Sequence, residues 1–312
     1  MTEQATPPPT ISGIHHVTAI ASDPQANLDF YVGFLGLRLV KRTVNFDDPG
    51  TYHFYYGDQI GRPGTILTFF PWPGASRGRP GTGQVSTTSF AIAKGSSEYW
   101  RQKAAALSIP LVSDGERFGS RVLGLSDPDG LALELVETDT NTADETEISG
   151  FESATLAEEG YEATARLLTD MFGFRLSVND GSRFRYFAPG PEGNGPGATV
   201  DLLCAPDLRH GLGGAGTVHH IAWRTPDASQ QLAWRSRLVE AGYNVSPVMD
   251  RNYFQSIYFR EPGGILFEIA TDPPGFTVDE TEQELGRNLK LPPEYEALRD
   301  RIEAVLPPIH IP

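Results

Sequence analysis

An α+β fold built from four βαβββ modules is what the sequence predicts, and three observations predict it. Glycine and proline, 33 and 25 of the 312 residues, cut the chain into short pieces, most of which read as strands of about five residues. Helical periodicity is confined to a few stretches between them, which argues against a helical bundle. The pattern of the first seventy or so residues then recurs along the chain.

The first module opens with Ile14 to Ala21, rich in β-branched residues and read as a strand. Asp23 before Pro24 is a good N-cap with proline in the first helical position. Leu28, Tyr31 and Leu35 recur at helical spacing, so Pro24 to Leu35 is expected as a helix. Arg38 to Asn45, Tyr52 to Tyr56 and Thr65 to Phe70 follow as strands, separated by the turn-forming segments Asp47 to Gly50 and Gly57 to Gly64.

Phe34-Leu35-Gly36-Leu37-Arg38-Leu39 follows Ile14-His15-His16 at the same offset at which Met171-Phe172-Gly173-Phe174-Arg175-Leu176 follows Phe151-Glu152-Ser153. These are modules one and three. Asp127-Pro128-Asp129-Gly130-Leu131-Ala132-Leu133-Glu134 and Glu261-Pro262-Gly263-Gly264-Ile265-Leu266-Phe267-Glu268 close modules two and four. Two tandem domains are expected, 12–138 and 149–275, each a pair of modules, with a tail over 276–312. A Pro/Gly-rich connector runs from Pro71 to Gly83, and the domain boundary falls in the acidic linker Glu137 to Ser149. In the tail, Pro292 to Leu306 reads as a docked helix with Leu298, Ile302 and Val305 on one face.

Lysine and arginine total 25 against 40 aspartates and glutamates, a net charge of −15. An acidic excess of that size repels phosphate backbones and anionic lipid, so neither nucleic acid nor membrane is expected as a partner. Hydrophobic residues at 39% and charged residues at 21% describe a globular chain. The single cysteine, Cys204, has no internal disulfide partner, and the opening MTEQATPPPTIS lacks a basic stretch followed by an apolar run. A cytoplasmic location is the expectation.

Four of the seven histidines form two adjacent pairs, His15-His16 and His219-His220, each in the first strand of a module. Strand neighbours face opposite sides, so one member of each pair is expected to point into a given cavity. The other two modules hold Ser86-Thr87 and Glu152-Ser153 at those places, so the repeat itself does not call for histidine. Glu268, in the strand-like run Ile265 to Ala270, adds a carboxylate that on a buried face needs a cation or strong donors. Two imidazoles and one carboxylate compose the facial set that holds a divalent metal while leaving positions open. Glu134 has the same place in module two without histidines beside it and reads as structural or solvent-facing. His53, His210 and His310 stand outside the repeat pattern and read as surface or structural. Phe54, Tyr55, Phe69, Phe70 and Trp72 read as core before pocket.

The four-module layout is joined by Gly13-Ile14-His15-His16-Val17-Thr18, by Gly57-Asp58 with Gly61-Arg62-Pro63-Gly64-Thr65, by Val218-His219-His220 and by Pro262 to Glu268. Together they resemble the vicinal oxygen chelate superfamily with its glyoxalase-type fold. More narrowly, the chain is similar to the ring-cleaving dioxygenases that act on hydroquinones, including the chlorohydroquinone 1,2-dioxygenases, over residues 12–295. The resemblance implies His16, His220 and Glu268 as metal ligands, the second histidine of each pair. It implies His15, Thr18, His219, Arg251 and Tyr258 as catalytic residues around them. The implied cofactor is Fe(II), with Mn(II) as a substitute, and the implied partners are a small aromatic substrate and O2. A homo-oligomer is compatible with a tandem-module chain.

Ligands from modules one and four require those two modules to pack together about the site. The slot of module one equivalent to Glu268 falls within Thr68 to Phe70, which offers no strong ligand and leaves that quadrant for substrate. Isomerases of the superfamily usually carry a fourth protein ligand there. The expected activity is therefore an extradiol-type opening of a hydroquinone-type dihydroxybenzene with insertion of both atoms of O2. Arg251 and Tyr258 answer developing negative charge, and His15 or His219 serves as acid or base. Two readings compete: a glyoxalase-type isomerase or lyase, which turns over without oxygen, and a metal-free aromatic-binding protein, whose affinity survives loss of the three ligands. The loop Pro71 to Gly83 and the segment Gly190 to Gly197 are expected to shape substrate access.

Overall fold

Every side chain of β1 (Ile14–Ala21) is buried, as befits a central strand covered on both faces. The computed structural model that places it describes residues 9–139, 144, 146–189 and 195–311. The opening residues 1–8 and parts of the acidic linker and of the Gly190 to Gly197 segment lie outside the described residues.

In module one the expected helix is a short α1 (Pro24–Leu28) running into a π-helical turn over Asp29–Phe34. Asp23 caps it, accepting from the N–H groups of Gln25 and Ala26 at 2.8 and 2.9 Å. The wider turn buries Phe30, Tyr31 and Phe34 together. The strands are β2 (Arg38–Asn45), β3 (Asp48–Gly57) and β4 (Ile66–Pro71). β3 begins at Asp48 and not at Tyr52. The hairpin turns at Phe46-Asp47, closed by the Asn45/Asp48 pair, and Asn45 Oδ1 accepts the Asp47 N–H at 3.0 Å.

Module two is β5 (Gln84–Ala93), α2 (Ser97–Ala106), β6 (Leu111–Arg117), β7 (Ser120–Ser126) and β8 (Ala132–Thr138). Module three is β9 (Ile148–Glu158), α3 (Glu162–Arg166) with a π turn over Leu167–Met171, β10 (Arg175–Asp180), β11 (Arg183–Phe187) and β12 (Thr199–Cys204). Module four is β13 (Thr217–Thr225), α4 (Ala228–Glu240), β14 (Met249–Asp250), β15 (Phe254–Arg260) and β16 (Leu266–Pro274).

The sixteen strands form two curled eight-stranded sheets, ordered β14-β15-β16-β13-β1-β4-β3-β2 and β10-β11-β12-β9-β5-β8-β7-β6. Modules one and four thus share one sheet, joined by the antiparallel pair β1 and β13, and modules two and three share the other through β5 and β9. The α+β architecture of four modules is the one expected. The sheets are stitched at Ile14 N–H to Gly197 O, 2.7 Å, and Phe151 N–H to Gly64 O, 2.8 Å. At Gly64, with φ of +88°, a Cβ would lie 2.3 Å from the Pro196 carbonyl oxygen, so the close approach needs glycine.

The tail straps the free edge of β2. Leu289 bridges to Arg42, and the Lys290 N–H bonds the Arg42 carbonyl at 2.9 Å. Lys41, fully buried, is held by Asp279 and Glu280. The expected helix Pro292 to Leu306 is a 3-10 turn over Pro293–Leu298 followed by α5 (Arg299–Val305). That change of pitch corrects the predicted face: Ile302 and Leu306 are buried, whereas Leu298 and Val305 are exposed.

Candidate active site

Pairing between β1 and β13 runs Ile14/Trp223, His16/Ala222, Thr18/His220 and Ala19/Val218. His15 and His219 are left as the extra residues of two β-bulges, related by the pseudo-twofold that exchanges modules one and four. A bulge re-aims the chain, so the expectation that the two neighbours face opposite sides holds for His15 and His16, which line different cavities, and fails for His219 and His220, which line the same one. Each extra histidine turns back on its successor: His15 Nδ1 lies 2.9 Å from His16 Nδ1, and His219 Nδ1 lies 2.8 Å from His220 Nδ1. His219 lines the same cavity as His16 and His220, while His15 lines a separate one behind it.

The opposite ring nitrogens converge. His16 Nε2 and His220 Nε2 are 3.3 Å apart, and Glu268 Oε2 lies 3.3 Å from the first and 2.9 Å from the second. All three side chains are buried, Glu268 completely. It is held by Ser256, whose hydroxyl donates to Glu268 Oε1, while Oε2 has no hydrogen-bond partner among the described residues. Burial works to raise the Glu268 carboxyl, yet His16 and His220 hold it well below the usual range.

These atoms fit a divalent cation. With the Nδ1 protons of His16 and His220 directed at their neighbours, both Nε2 lone pairs and the free Oε2 point to one place. Ligands at about 2.1 Å on adjacent corners of an octahedron stand about 3 Å apart, and the triangle has edges of 2.9, 3.3 and 3.3 Å. The flanking histidines suit that tautomer. Burial, then the charge of His16, keeps His15 well below the usual imidazole range, and burial, then His220, pushes His219 down to about 4. Neutral rings accept an N–H as metal-ligating histidines require of their outer partners.

The fourth quadrant belongs to Thr68. Thr18 pairs with Thr68 as Ala222 pairs with Glu268, so Thr68 stands in the slot of Glu268. Its hydroxyl donates to Thr18 Oγ1 at 2.8 Å, and His53 Nε2 is 2.9 Å from it. His53 Nδ1 lies 2.9 Å from the Tyr55 hydroxyl. With Thr68 donating onward, His53 carries its proton on Nε2 and accepts from Tyr55. Burial, followed by the charges of His16 and His220, holds His53 well below the usual imidazole range.

In front of the triad is a cavity of about 250 Å³. Thr18, Arg251 and Tyr258 all line it, together with Phe70, Trp72 and Phe254. Phe70 and Trp72 stack at 5.4 Å. Arg251 Nε is 3.3 Å from the Tyr258 hydroxyl, and Arg251 Nη1 is 3.4 Å from Asp47 on the β2–β3 turn. Burial, then Glu268, raises the Tyr258 phenol above its ordinary value. Burial opposes the charge of Arg251, but Tyr258 and Asp47 more than restore it.

Sequence reasoning missed His53, read as surface or structural, and set Phe70 and Trp72 down as core before pocket; Tyr55 is core as read, 1% exposed, and also borders the cavity. Phe54 and Phe69 are core; Phe70 and Trp72 line the cavity. Period-two alternation along β3 and β4 was the available signal, since it puts His53 and Tyr55 on the face of Thr68.

The other sheet shows the same four slots put to another use. By register, Thr87, Glu134, Ser153 and Asp201 replace His220, Glu268, His16 and Thr68. Arginines fill the space: Arg117 bonds Glu134 at 2.6 Å, Arg183 bonds Asp201 at 3.1 Å, and Arg185 bonds Asp201 at 2.7 Å and Glu152 as well. Glu134 is structural, as read.

Comparison with known proteins agrees with this layout. The chain is 48% identical over 308 residues to the "Putative ring-cleaving dioxygenase MhqO" of Bacillus subtilis (strain 168), covering 96% of this chain and 97% of that one. It is 33% identical over 312 residues to the chlorohydroquinone/hydroquinone 1,2-dioxygenase of Sphingobium indicum, covering 95% and 96%. A crystal structure of a B. subtilis protein described as a putative dioxygenase superposes with a TM-score of 0.91 at 47% identity, over 97% of this chain and 99% of that one. Glyoxalase I from Zea mays shares the fold, with a TM-score of 0.64 at 16% identity over 83% and 92%. The family model described as Glyoxalase/Bleomycin resistance protein/Dioxygenase superfamily matches residues 13–135 and 150–269, and the chain belongs to that superfamily.

Proposed function

We propose that the chain is a metal-dependent ring-cleaving dioxygenase that opens a hydroquinone-type dihydroxybenzene with dioxygen. The observation that carries the reading is the three-ligand set: His16, His220 and Glu268 converge, while the fourth slot holds a threonine tied to Thr18 and His53. A site of that kind keeps positions open for substrate and oxygen. The relatives named as ring-cleaving and hydroquinone dioxygenases support it, since this chain spans nearly the whole of each. Fe(II) is the expected metal, with Mn(II) as a substitute, and His16, His220 and Glu268 would hold it. When bound, such a metal acidifies a phenolic hydroxyl and brings substrate and dioxygen together on one centre.

The surrounding residues then have distinct tasks. Phe70 and Trp72 give the ring an aromatic wall, and Phe254 closes the pocket beside His16, its ring 5.0 Å from that imidazole. The Arg251 guanidinium offers permanent positive charge to a phenolate or to oxygen that becomes anionic. Tyr258, its phenol kept protonated, donates a hydrogen bond from the side of His220, whose ring lies 5.8 Å away. His53 is poised to relay a proton between Tyr55 and the cavity through the Thr68 and Thr18 hydroxyls, the second of which lines it. His15 and His219 orient the two ligating imidazoles, and His219 also faces the cavity as a candidate base.

Among the described residues no helix is long and apolar enough to cross a membrane. The reading is tested by loading the protein anaerobically with Fe(II) or Mn(II) and following oxygen uptake with methylhydroquinone and with catechol. Uptake with methylhydroquinone is expected to be the faster; turnover without oxygen would transfer the site to an isomerase.

A further inference from the structure

Behind the triad lies a second cavity of about 200 Å³. Among the described residues Phe254 alone lines both cavities, and its ring centroid is 5.0 Å from each of His15 and His16. A partition one aromatic ring thick therefore separates the rear cavity from the proposed metal position. Its inner wall is mostly apolar: Ile66, Tyr253, Phe254 and Phe276 are nearly inaccessible to solvent, with the buried His15 imidazole as the polar group beside them. The charged residues Arg62 and Glu282 are exposed at the rim, where the β3–β4 loop meets the start of the tail, and half-buried Asp272, paired with Arg224, lines the cavity as well.

We propose that this rear cavity is a dioxygen site, an antechamber from which O2 passes Phe254 to reach the triad. The proposal rests on the dioxygenase reading above. Two reactants must meet at one centre, and an aromatic substrate standing between Trp72 and the triad would take up much of a front cavity of about 250 Å³, which favours a separate way in for dioxygen. Dioxygen carries no charge, accepts hydrogen bonds weakly and dissolves better in apolar surroundings than in water, so an apolar space favours it over the substrate. Enclosed apolar cavities of comparable size stay dry and take up xenon, a gas of similar size and polarisability, and the inner end bounded by Ile66, Phe254 and Phe276 offers surroundings of that kind. The apolar inner end selects against a second dihydroxybenzene, whose hydroxyls would find only the His15 imidazole among the innermost residues.

The test uses two readouts on the whole chain. Xenon uptake by the protein as isolated, followed in crystals under pressure, is expected between Phe254 and Phe276, and Ile66→Phe is expected to abolish it. In the Fe(II)-loaded enzyme, Ile66→Phe should raise the KM for dioxygen about fivefold or more while the KM for methylhydroquinone changes less than about twofold. Ile60→Trp, from the half-buried rim, repeats the measurement should the core variant fold poorly. Ordered water in place of xenon, or an unchanged KM for dioxygen in a variant shown to have lost the xenon, would overturn the proposal. Absence of any oxygen uptake by the unaltered enzyme would overturn the dioxygenase reading beneath it, and is told apart because the xenon measurement does not depend on turnover.

Discussion

Thr68 stands in β4 where Glu268 stands in β16: each lies across from the residue two past one of the two converging histidines, Thr18 after His16 and Ala222 after His220. A twofold-related site would place a carboxylate in both slots. One of the two is a hydroxyl tied to Thr18 and His53, and in the proposed metal site that difference leaves three strong ligands.

Restoring the symmetry should change the chemistry. Thr68→Glu is expected to tighten divalent-metal binding about tenfold or more, by adding a charged ligand, and to abolish oxygen uptake by filling an open position. Isothermal titration with Mn(II) and an oxygen electrode read the two effects. Unaltered uptake would show that the slot does not face the metal.

The second sheet should bind no metal of its own, because arginines occupy the equivalent space. Titration of the metal-free chain is expected to reach one high-affinity ion per chain, and Glu268→Ala to remove it. Arg185→Ala, by contrast, leaves fully buried Asp201 and nearby Glu152 short of their counter-charge. It should cost about 3–5 kcal/mol of stability, read by urea unfolding, without changing the metal stoichiometry.

His53 touches none of the three ligands but lines the cavity. His53→Ala is expected to lower kcat about 100-fold with metal content intact, and Tyr55→Phe to lower it less, since the phenol acts through His53. A rise in KM at constant kcat in both variants would assign the pair to substrate binding instead.

A pH dependence of stability should come from outside the site. Glu158 is fully buried, neither carboxylate oxygen has a hydrogen-bond partner among the described residues, and burial, then the charge of Glu261, pushes its carboxyl up from 4.5 to about 8. The folded chain keeps that proton to higher pH than the unfolded chain. The contribution is therefore whole below pH 4.5 and is lost as pH rises toward 8. Glu158→Gln should match the natural chain in melting temperature at pH 5 and exceed it by several degrees at pH 8.5. Parallel calorimetric curves for the two would contradict this.

The modules, both histidine pairs and Glu268 were legible in the sequence because repetition and strand alternation are local patterns. His15 and His219 as bulge residues were not: a bulge exists only in the register between β1 and β13, two strands some two hundred residues apart in the chain. His53 was lost for a related reason, since its partner Thr68 is visible only once β3 and β4 are paired. The β2–β3 turn moved because Asn45 closes it through its own side chain, and the Asp-Pro-Gly that follows drew attention away from it. In the tail, the switch from 3-10 to α at Leu298 shifted the buried face by an amount that periodicity over a short segment does not register.

The most direct measurement of the central claim is the fate of isotopically labelled dioxygen. The Fe(II)-loaded enzyme is given methylhydroquinone under 18O2, and the ring-opened product is weighed by mass spectrometry. A product carrying both labelled atoms, formed one for each O2 consumed and absent with Glu268→Ala, is the predicted result; an unlabelled product, or turnover undiminished in that variant, would contradict it.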